Sequence, residues 1–303
     1  MRIIGSVYVI LTVVTILALY LAGMPLFDAV NHAFTIVATG GLSIKNLSIA
    51  HYNSPAIEAV CAVMMLISSL HFGLLYLTVA KRSLKIFRSP IIRFYLMSLL
   101  VVSVLVTLNL RWEDVAATWG EAFRFASFHV ISFASTCGLA NADSSHWPLF
   151  SIFLLMYISM QCACSGSTTG GIKVDRVWIL LQSFRGHLRK MLHPNAVIPI
   201  KIGNHIVDAD FVSRVSVYVL MYILCIFLGA VLLSMTGLDL MDSLSASIAS
   251  MGNVGPGFGS CGALDSFGHF SAVAKFVLSL QMLFGRLEIF ALLLIFVIFK
   301  RNA

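Results

Sequence analysis

Three short turns carry residue types suited to handling a bare cation. They are Thr39-Gly40-Gly41, Thr136-Cys137-Gly138 and Asn253-Val254-Gly255. A cation leaving water must exchange its hydration oxygens for others, and backbone carbonyls supply them when the chain is extended and aligned. Glycine permits backbone angles that turn successive carbonyls to one side, and it adds no side chain to the path. The preceding Thr or Asn offers a side-chain oxygen at the inner end. Few charges accompany these turns, so discrimination among ions would rest on dipoles rather than on a ring of carboxylates.

A fourth stretch is of a different kind. Gln161-Cys162-Ala163-Cys164-Ser165-Gly166-Ser167-Thr168-Thr169-Gly170-Gly171-Ile172-Lys173 interrupts an apolar run that leads in from Trp147 and a basic, helix-like segment that leads out from Val174 to Lys190. Three glycines and four hydroxyl residues in so short a span are poor helix material. Within a bilayer, such backbone is tolerated only where it is buried in protein or lines a watery cavity. The stretch therefore reads as a loop at membrane depth, which suggests a permeation path around it. Arg286, near the middle of the last apolar segment, reads as an electrostatic barrier to cations, bonded to carbonyls of that loop. A central Arg costs roughly 2.5–3.5 kcal/mol on insertion scales, so it should face protein or water. There its charge opposes cation flow. The plainer reading is a structural pair with Glu288.

Other chemistry-bearing residues lead elsewhere or nowhere. Lys173 follows Ile172 and precedes Val174, so the glycine-rich stretch is no nucleotide-binding phosphate loop, which needs Gly-Lys followed by Ser or Thr. An intramembrane hydrolase built on Ser167 is a remote alternative; no Gly-x-Ser-x-Gly surrounds that serine, and only His71 is a conceivable base. His32, His71 and His129 lack a second ligand at helical spacing and read as packing or hydrogen-bonding residues rather than metal ligands. Cys162-x-Cys164 has no second pair to complete a zinc site and reads as small packing residues. Neither a cofactor nor catalytic residues are expected.

The elements that must position these residues follow from composition. The 303 residues are 59% hydrophobic and only 11% charged, with a mean hydropathy of +0.95. Soluble domains carry roughly 25% charge, so a helical integral membrane protein is expected. Six apolar segments appear: Ile3 to Ala22, Ala56 to Ala80, Ile91 to Leu110, Leu149 to Met160 with its continuation beyond the loop, Phe211 to Met235, and Phe270 to Phe299. The net charge of +7 sits at segment ends, where it orients helices rather than binding nucleic acid. Lys81, Arg82, Lys85, Arg88 and Arg93 follow the second segment; Arg185, Arg189, Lys190 and Lys201 lie among those after the fourth; Lys300 and Arg301 follow the sixth. The three other connections are neutral or acidic. By the positive-inside rule, both termini and the basic connections are cytoplasmic, and the three filter-like turns lie on the outward side.

A repeat organises the chain. Each outward connection has an apolar stretch too short to span, such as Phe123 to Ala134, then a glycine turn and polar residues. The unit is helix, re-entrant half-helix, glycine turn, helix. It recurs over residues 1–88, 89–205 and 206–303, with the intramembrane loop 161–173 in the middle unit.

These residues resemble the Trk/Ktr/HKT superfamily of cation transporters, most closely its TrkH-type potassium-uptake branch. The motifs are Phe34 to Gly41, Cys164 to Lys173, Leu192-His193-Pro194-Asn195-Ala196-Val197, Gly252 to Gly257, and Phe284-Gly285-Arg286-Leu287-Glu288. The resemblance implies four helix–pore loop–helix units around one pore, three of them visible here and matching the second, third and fourth. It implies that Gly41, Gly138 and Gly255 hold the potassium ion, and that Gly166 to Gly171 and Arg286 form the gate. It further implies a homodimer in the plasma (inner) membrane, regulated by a cytoplasmic TrkA-like nucleotide-binding ring. Glycine in all three turns points to potassium rather than sodium. The alternative is a non-conducting or incomplete subunit of such a transporter.

Overall fold

The computed structural model describes residues 2–81, 89–193, 198–202, 205–287 and 289. The described chain is helical apart from one two-residue hairpin, β1 (Lys201–Ile202) against β2 (His205–Ile206), antiparallel. Its helices fall into three units. The first has α1 (Arg2–Leu21), α2 (Leu26–Ala38), α3 (Pro55–Ser68) and α4 (Phe72–Lys81). The second has α5 (Pro90–Trp112), α6 (Trp119–Ala134), α7 (Leu149–Gln161) and α8 (Val174–Leu192). The third has α9 (Ala209–Ser234), α10 (Leu240–Gly252) and α11 (Ala272–Leu287).

Helices α1, α5 and α9 are long and apolar enough to cross a membrane. The half-helices α2 and α10, at 13 residues each, cover under 20 Å at 1.5 Å per residue, too little for a ~30 Å hydrocarbon core. The starts of these helices are written locally. Pro55 and Pro90 open α3 and α5, where a missing N–H leaves no bond unmade. Thr118 caps α6 by accepting from Glu121 N at 3.2 Å, and Glu121 Oε2 accepts from Ala117 N at 3.1 Å, a reciprocal cap.

The second apolar segment differs from expectation. Ala56 to Ala80 is not one straight span: α3 and α4 meet at 103°. Ser68 and Ser69 turn their hydroxyls back onto the carbonyls of Met65 and Leu66, competing with the helical ladder. His71 Nδ1 then accepts from Gly73 N at 3.0 Å, restarting a helix in a new direction. For the last segment the described helix ends at Leu287; apart from Ile289, the stretch expected to run on to Phe299 lies outside the described residues, as do the basic residues Arg82, Lys85 and Arg88.

The middle unit is packed on both sides. One core joins Tyr95, Val106, Phe133 and Leu155 of the second unit to Tyr222, Ile248 and Met251 of the third. Another joins Leu19, Ile36 and Met65 of the first to Phe128, Cys137 and Leu139 of the second. At the glycine turns all three units come together, Gly41 standing against Val254 and Cys137.

Candidate functional site: three convergent turns and a loop beneath them

The half-helices α2, α6 and α10 end in the same way. Gly40 N donates to Thr35 O at 2.8 Å, Cys137 N to Ser132 O at 2.9 Å, and Val254 N to Ala249 O at 2.9 Å. One residue earlier, Thr39, Thr136 and Asn253 donate to the carbonyls three residues back. This pair of bonds is the Schellman cap, whose left-handed residue is usually glycine. Here it is Thr39 (φ 53°), Thr136 (φ 54°) and Asn253 (φ 56°). Three non-glycine residues in that strained region, at matching positions, each trade backbone ease for a side-chain oxygen. Two residues on, Gly41, Gly138 and Gly255 again have positive φ (73°, 67° and 104°).

The turns then converge. A methyl placed on Gly41 would sit 2.8 Å from Val254 O and 2.9 Å from Cys137 O. One on Gly138 would sit 2.2 Å from Val254 O and 2.5 Å from Pro256 Cδ. One on Gly255 would have Gly41 as its nearest neighbour, at 4.0 Å. Carbonyls from two units thus crowd the glycine of a third, which only a residue without a side chain accommodates. The C-terminal ends of the half-helices, the negative poles of their dipoles, abut these turns.

Each half-helix also fastens the chain that follows its turn. His32 Nε2 pairs with Ser43 Oγ at 2.9 Å, and its Nδ1 with Asp28 O at 2.8 Å. In the second unit His129 Nε2 pairs with Ala142 O at 3.2 Å and Nδ1 with Phe125 O at 3.0 Å. In the third, Ser245 Oγ donates to Phe258 O at 3.1 Å and accepts from Phe258 N at 3.0 Å. The histidines are hydrogen-bonding residues, as expected. A further brace joins units: Asn141 Nδ2 donates to Glu58 Oε2 at 2.6 Å, and Arg124 Nε stands 3.5 Å from the same oxygen.

The glycine-rich loop lies against the half-helix ends of the first and third turns. Thr168 Oγ1 donates to Val37 O at 3.1 Å, and Thr39 Oγ1 donates to Thr168 O at 3.2 Å. A methyl on Gly170 would lie 2.7 Å from Gly252 O and 3.2 Å from Asn253 Cβ. Ser167 Oγ is engaged with Cys164 O at 2.7 Å and Thr169 Oγ1 at 2.8 Å. Gly171 (φ 76°) packs on Cys162 Sγ, whose thiol points to Ser159 O at 2.7 Å, so Cys162 and the buried Cys164 are packing residues. The loop's far side is held by the bend between α3 and α4. Cys164 N donates to Ser69 O at 3.3 Å, Phe72 N donates to Gly166 O at 3.1 Å, and the His71 ring lies against Gly166. Sequence reasoning missed this role of His71; the signal was the polar run Ser68-Ser69 next to His71 and Gly73 inside an apolar segment.

Arg286 lies in the last turn of α11. One residue before it, Gly285 packs against Met251 O and the Asn253 amide, and Asn253 Nδ2 donates to Met282 O at 3.1 Å. Both Gly170 and Gly285 therefore flank the half-helix end of the third turn. The Arg286 side chain is exposed, and no hydrogen bond joins it to the loop among the described residues. Its pairing with Glu288 lies outside the described residues.

Comparison with known proteins decides the family. Residues 1–302 match the TrkH family model, described as a cation transport protein. The chain belongs to the TrkH family. It is 36% identical over 291 residues to the Trk system potassium uptake protein TrkH of Salmonella typhimurium, covering 96% of this chain and 60% of that relative. It is 31% identical over 290 residues to the Trk system potassium uptake protein TrkG of Escherichia coli, covering 95% of this chain and 59% of the relative. The crystal structure of the potassium transporter TrkH from Vibrio parahaemolyticus superposes with a TM-score of 0.89 at 33% identity, over 96% of this chain and 62% of that one. The chain thus spans about 60% of the length of these TrkH-family relatives. With them it shares the fold of a helical membrane transporter.

Proposed function

We propose that the chain forms part or all of a pathway for potassium uptake across the plasma (inner) membrane, with both termini cytoplasmic. The observation that carries this is the threefold match of the turns: left-handed Thr39, Thr136 and Asn253, then glycines crowded by carbonyls of neighbouring units. In this reading Thr39-Gly40-Gly41, Thr136-Cys137-Gly138 and Asn253-Val254-Gly255 line the ion filter. Carbonyl dipoles, reinforced by three half-helix C-termini, replace the hydration shell.

The loop Gly166-Ser167-Thr168-Thr169-Gly170-Gly171 is the gate. Its bonds to Val37 and Thr39 close the inner end of the path, and its glycines let it rearrange without a clash of side chains. Arg286 supplies positive charge at that depth, a barrier to cations leaving the filter inward. No ATP-hydrolysing motif is present in the sequence, and flux in this reading is passive or ion-coupled. The potassium transport named for the relatives supports potassium as the substrate. The Trk-system name they carry supports a cytoplasmic TrkA-type partner; a homodimer is the assembly that the family resemblance implies.

The test is growth of a potassium-uptake-deficient cell on limiting potassium, paired with rubidium-tracer uptake. Rescue that is lost on Gly138→Ala supports the reading. A chain that inserts and folds, yet gives neither rescue nor tracer flux, alone or extended to the length of its relatives, refutes it.

A further inference from the structure

The outer side of the turns opens into a polar cavity of about 600 Å³ lined by Gly41, Ser43, Lys45, Gly138 and Asp265 among others. A lysine is an unexpected lining for the mouth of a cation path. Its backbone is fixed there: Lys45 N donates to Ser43 Oγ at 3.1 Å, and Ser48 N donates to Lys45 O at 2.9 Å. Ser43 is itself tied to His32 of the half-helix. The side chain is held aside. Lys45 Nζ lies 3.2 Å from Asp28 Oδ2, and that oxygen also accepts a 2.6 Å hydrogen bond from Tyr52. Asp28 is nearly buried, its side chain 8% exposed, whereas that of Lys45 is 32% exposed. The acid is thus an anchor in the wall, and the ammonium the more exposed group at its end.

We propose that Lys45 is a tethered cation at the outer mouth of the filter, and that Asp28 keeps it disengaged. The inference rests on the reading of Gly41 and Gly138 as filter residues. An ammonium carries the same unit charge as a monovalent metal ion and offers three donors to carbonyl oxygens. Paired with Asp28 it adds no net charge to the cavity. Released, it stands four residues from Gly41 on a flexible stem, where it competes with incoming cations for the same carbonyls and repels them. The pair's significance therefore lies in where it keeps the charge, since a partly exposed ion pair adds little stability.

The experiment compares wild type, Asp28→Asn, Lys45→Gln and the double variant in proteoliposomes. Rubidium uptake should fall at least about threefold in Asp28→Asn, the factor that one unmatched charge gives at ~7 Å in a medium as polar as water. It should return to the wild-type rate in the double variant, and Lys45→Gln should conduct at or above that rate. Equal impairment of Asp28→Asn and the double variant would mean that Asp28 serves only to fold α2, and would overturn the proposal. A second readout is independent of flux: acylation of Lys45 by a membrane-impermeant amine reagent, followed by mass spectrometry. It should speed up severalfold in Asp28→Asn, and an unchanged rate overturns the tether whatever the flux. No flux in wild type with faster labelling would refute the conduction reading while leaving the Asp28 anchor standing.

Discussion

In the proposed filter, Gly41, Gly138 and Gly255 should differ in what they tolerate, in an order fixed by their surroundings. An alanine at 138 puts its methyl 2.2 Å from Val254 O and 2.5 Å from the ring of Pro256. For contact to become tolerable, that carbonyl must withdraw by about 1 Å. Functional groups hold their geometry to within ~0.5 Å, so this ligand would be lost. The positive φ adds about 1–2 kcal/mol for any side chain, and overpacking adds about 1–3 kcal/mol. At Gly41 the contacts are 2.8 and 2.9 Å, both to backbone carbonyls, so each must shift by about half an ångström, less than at Gly138. At Gly255 nothing lies closer than 4.0 Å, and only strain at φ 104° remains, about 1–3 kcal/mol. Rubidium-over-sodium preference, read from competitive tracer uptake, should collapse in Gly138→Ala, weaken in Gly41→Ala and survive best in Gly255→Ala. Each 1.4 kcal/mol lost in one ion's favour is a tenfold change. Wild-type preference in Gly138→Ala, or a greater loss in Gly255→Ala, would show that the convergent carbonyls do not set selectivity.

Other outcomes follow from single contacts. Thr168→Val removes the bond to Val37 O; uptake should rise as the loop loosens, with about 1 kcal/mol of stability lost in thermal unfolding. Glu58→Gln keeps a partner for Asn141 but leaves Arg124 without its counter-charge. Because Arg124 is a third exposed, the loss should be about 1–3 kcal/mol, below that for a fully buried pair, and visible as a lowered Tm. Arg286→Ala should raise leak flux; an unchanged leak in a conducting chain would remove Arg286 from the gate. The hydrogen bond from Tyr52, assisted by Lys45 and His32 and opposed by burial, holds the Asp28 carboxyl below its ordinary value. A lowered folded value stabilises above the unfolded pKa and is lost as pH falls through the folded one. The Tm gap between wild type and Asp28→Asn should therefore hold from pH 7 to 5 and close only in stronger acid.

Much of this site was legible because it is written in local chemistry. A Thr or Asn before glycine, repeated between paired apolar segments, needs no long-range contact to be noticed, and neither does a glycine-rich gap in an apolar run. The bend at Ser69 was hidden because hydropathy averages over it: Ala56 to Ala80 is apolar on both sides of the break. The partner that makes the bend useful, Gly166, lies far along the chain. Likewise Asp28, Lys45 and Tyr52 are unremarkable singly in the sequence, and only folding brings them to one oxygen. Glu58 reads as a stray acid at a helix start until Arg124 and Asn141 of another unit are set beside it. Residues that act through their own backbone announce themselves, whereas residues that act through a partner do not.

The bonds between loop and turn have a consequence for the order of assembly. Thr39 and Thr168 are 129 residues apart, and Thr168 and Val37 are 131 apart. Each apolar helix can enter the bilayer on its own hydropathy as it is synthesised. The bonds between turn and loop cannot form until the second unit has been made and docked, and contacts of such long sequence separation form slowly. The bonded arrangement of turn and loop is thus a late product of folding, present only in a chain whose first two units have already found one another.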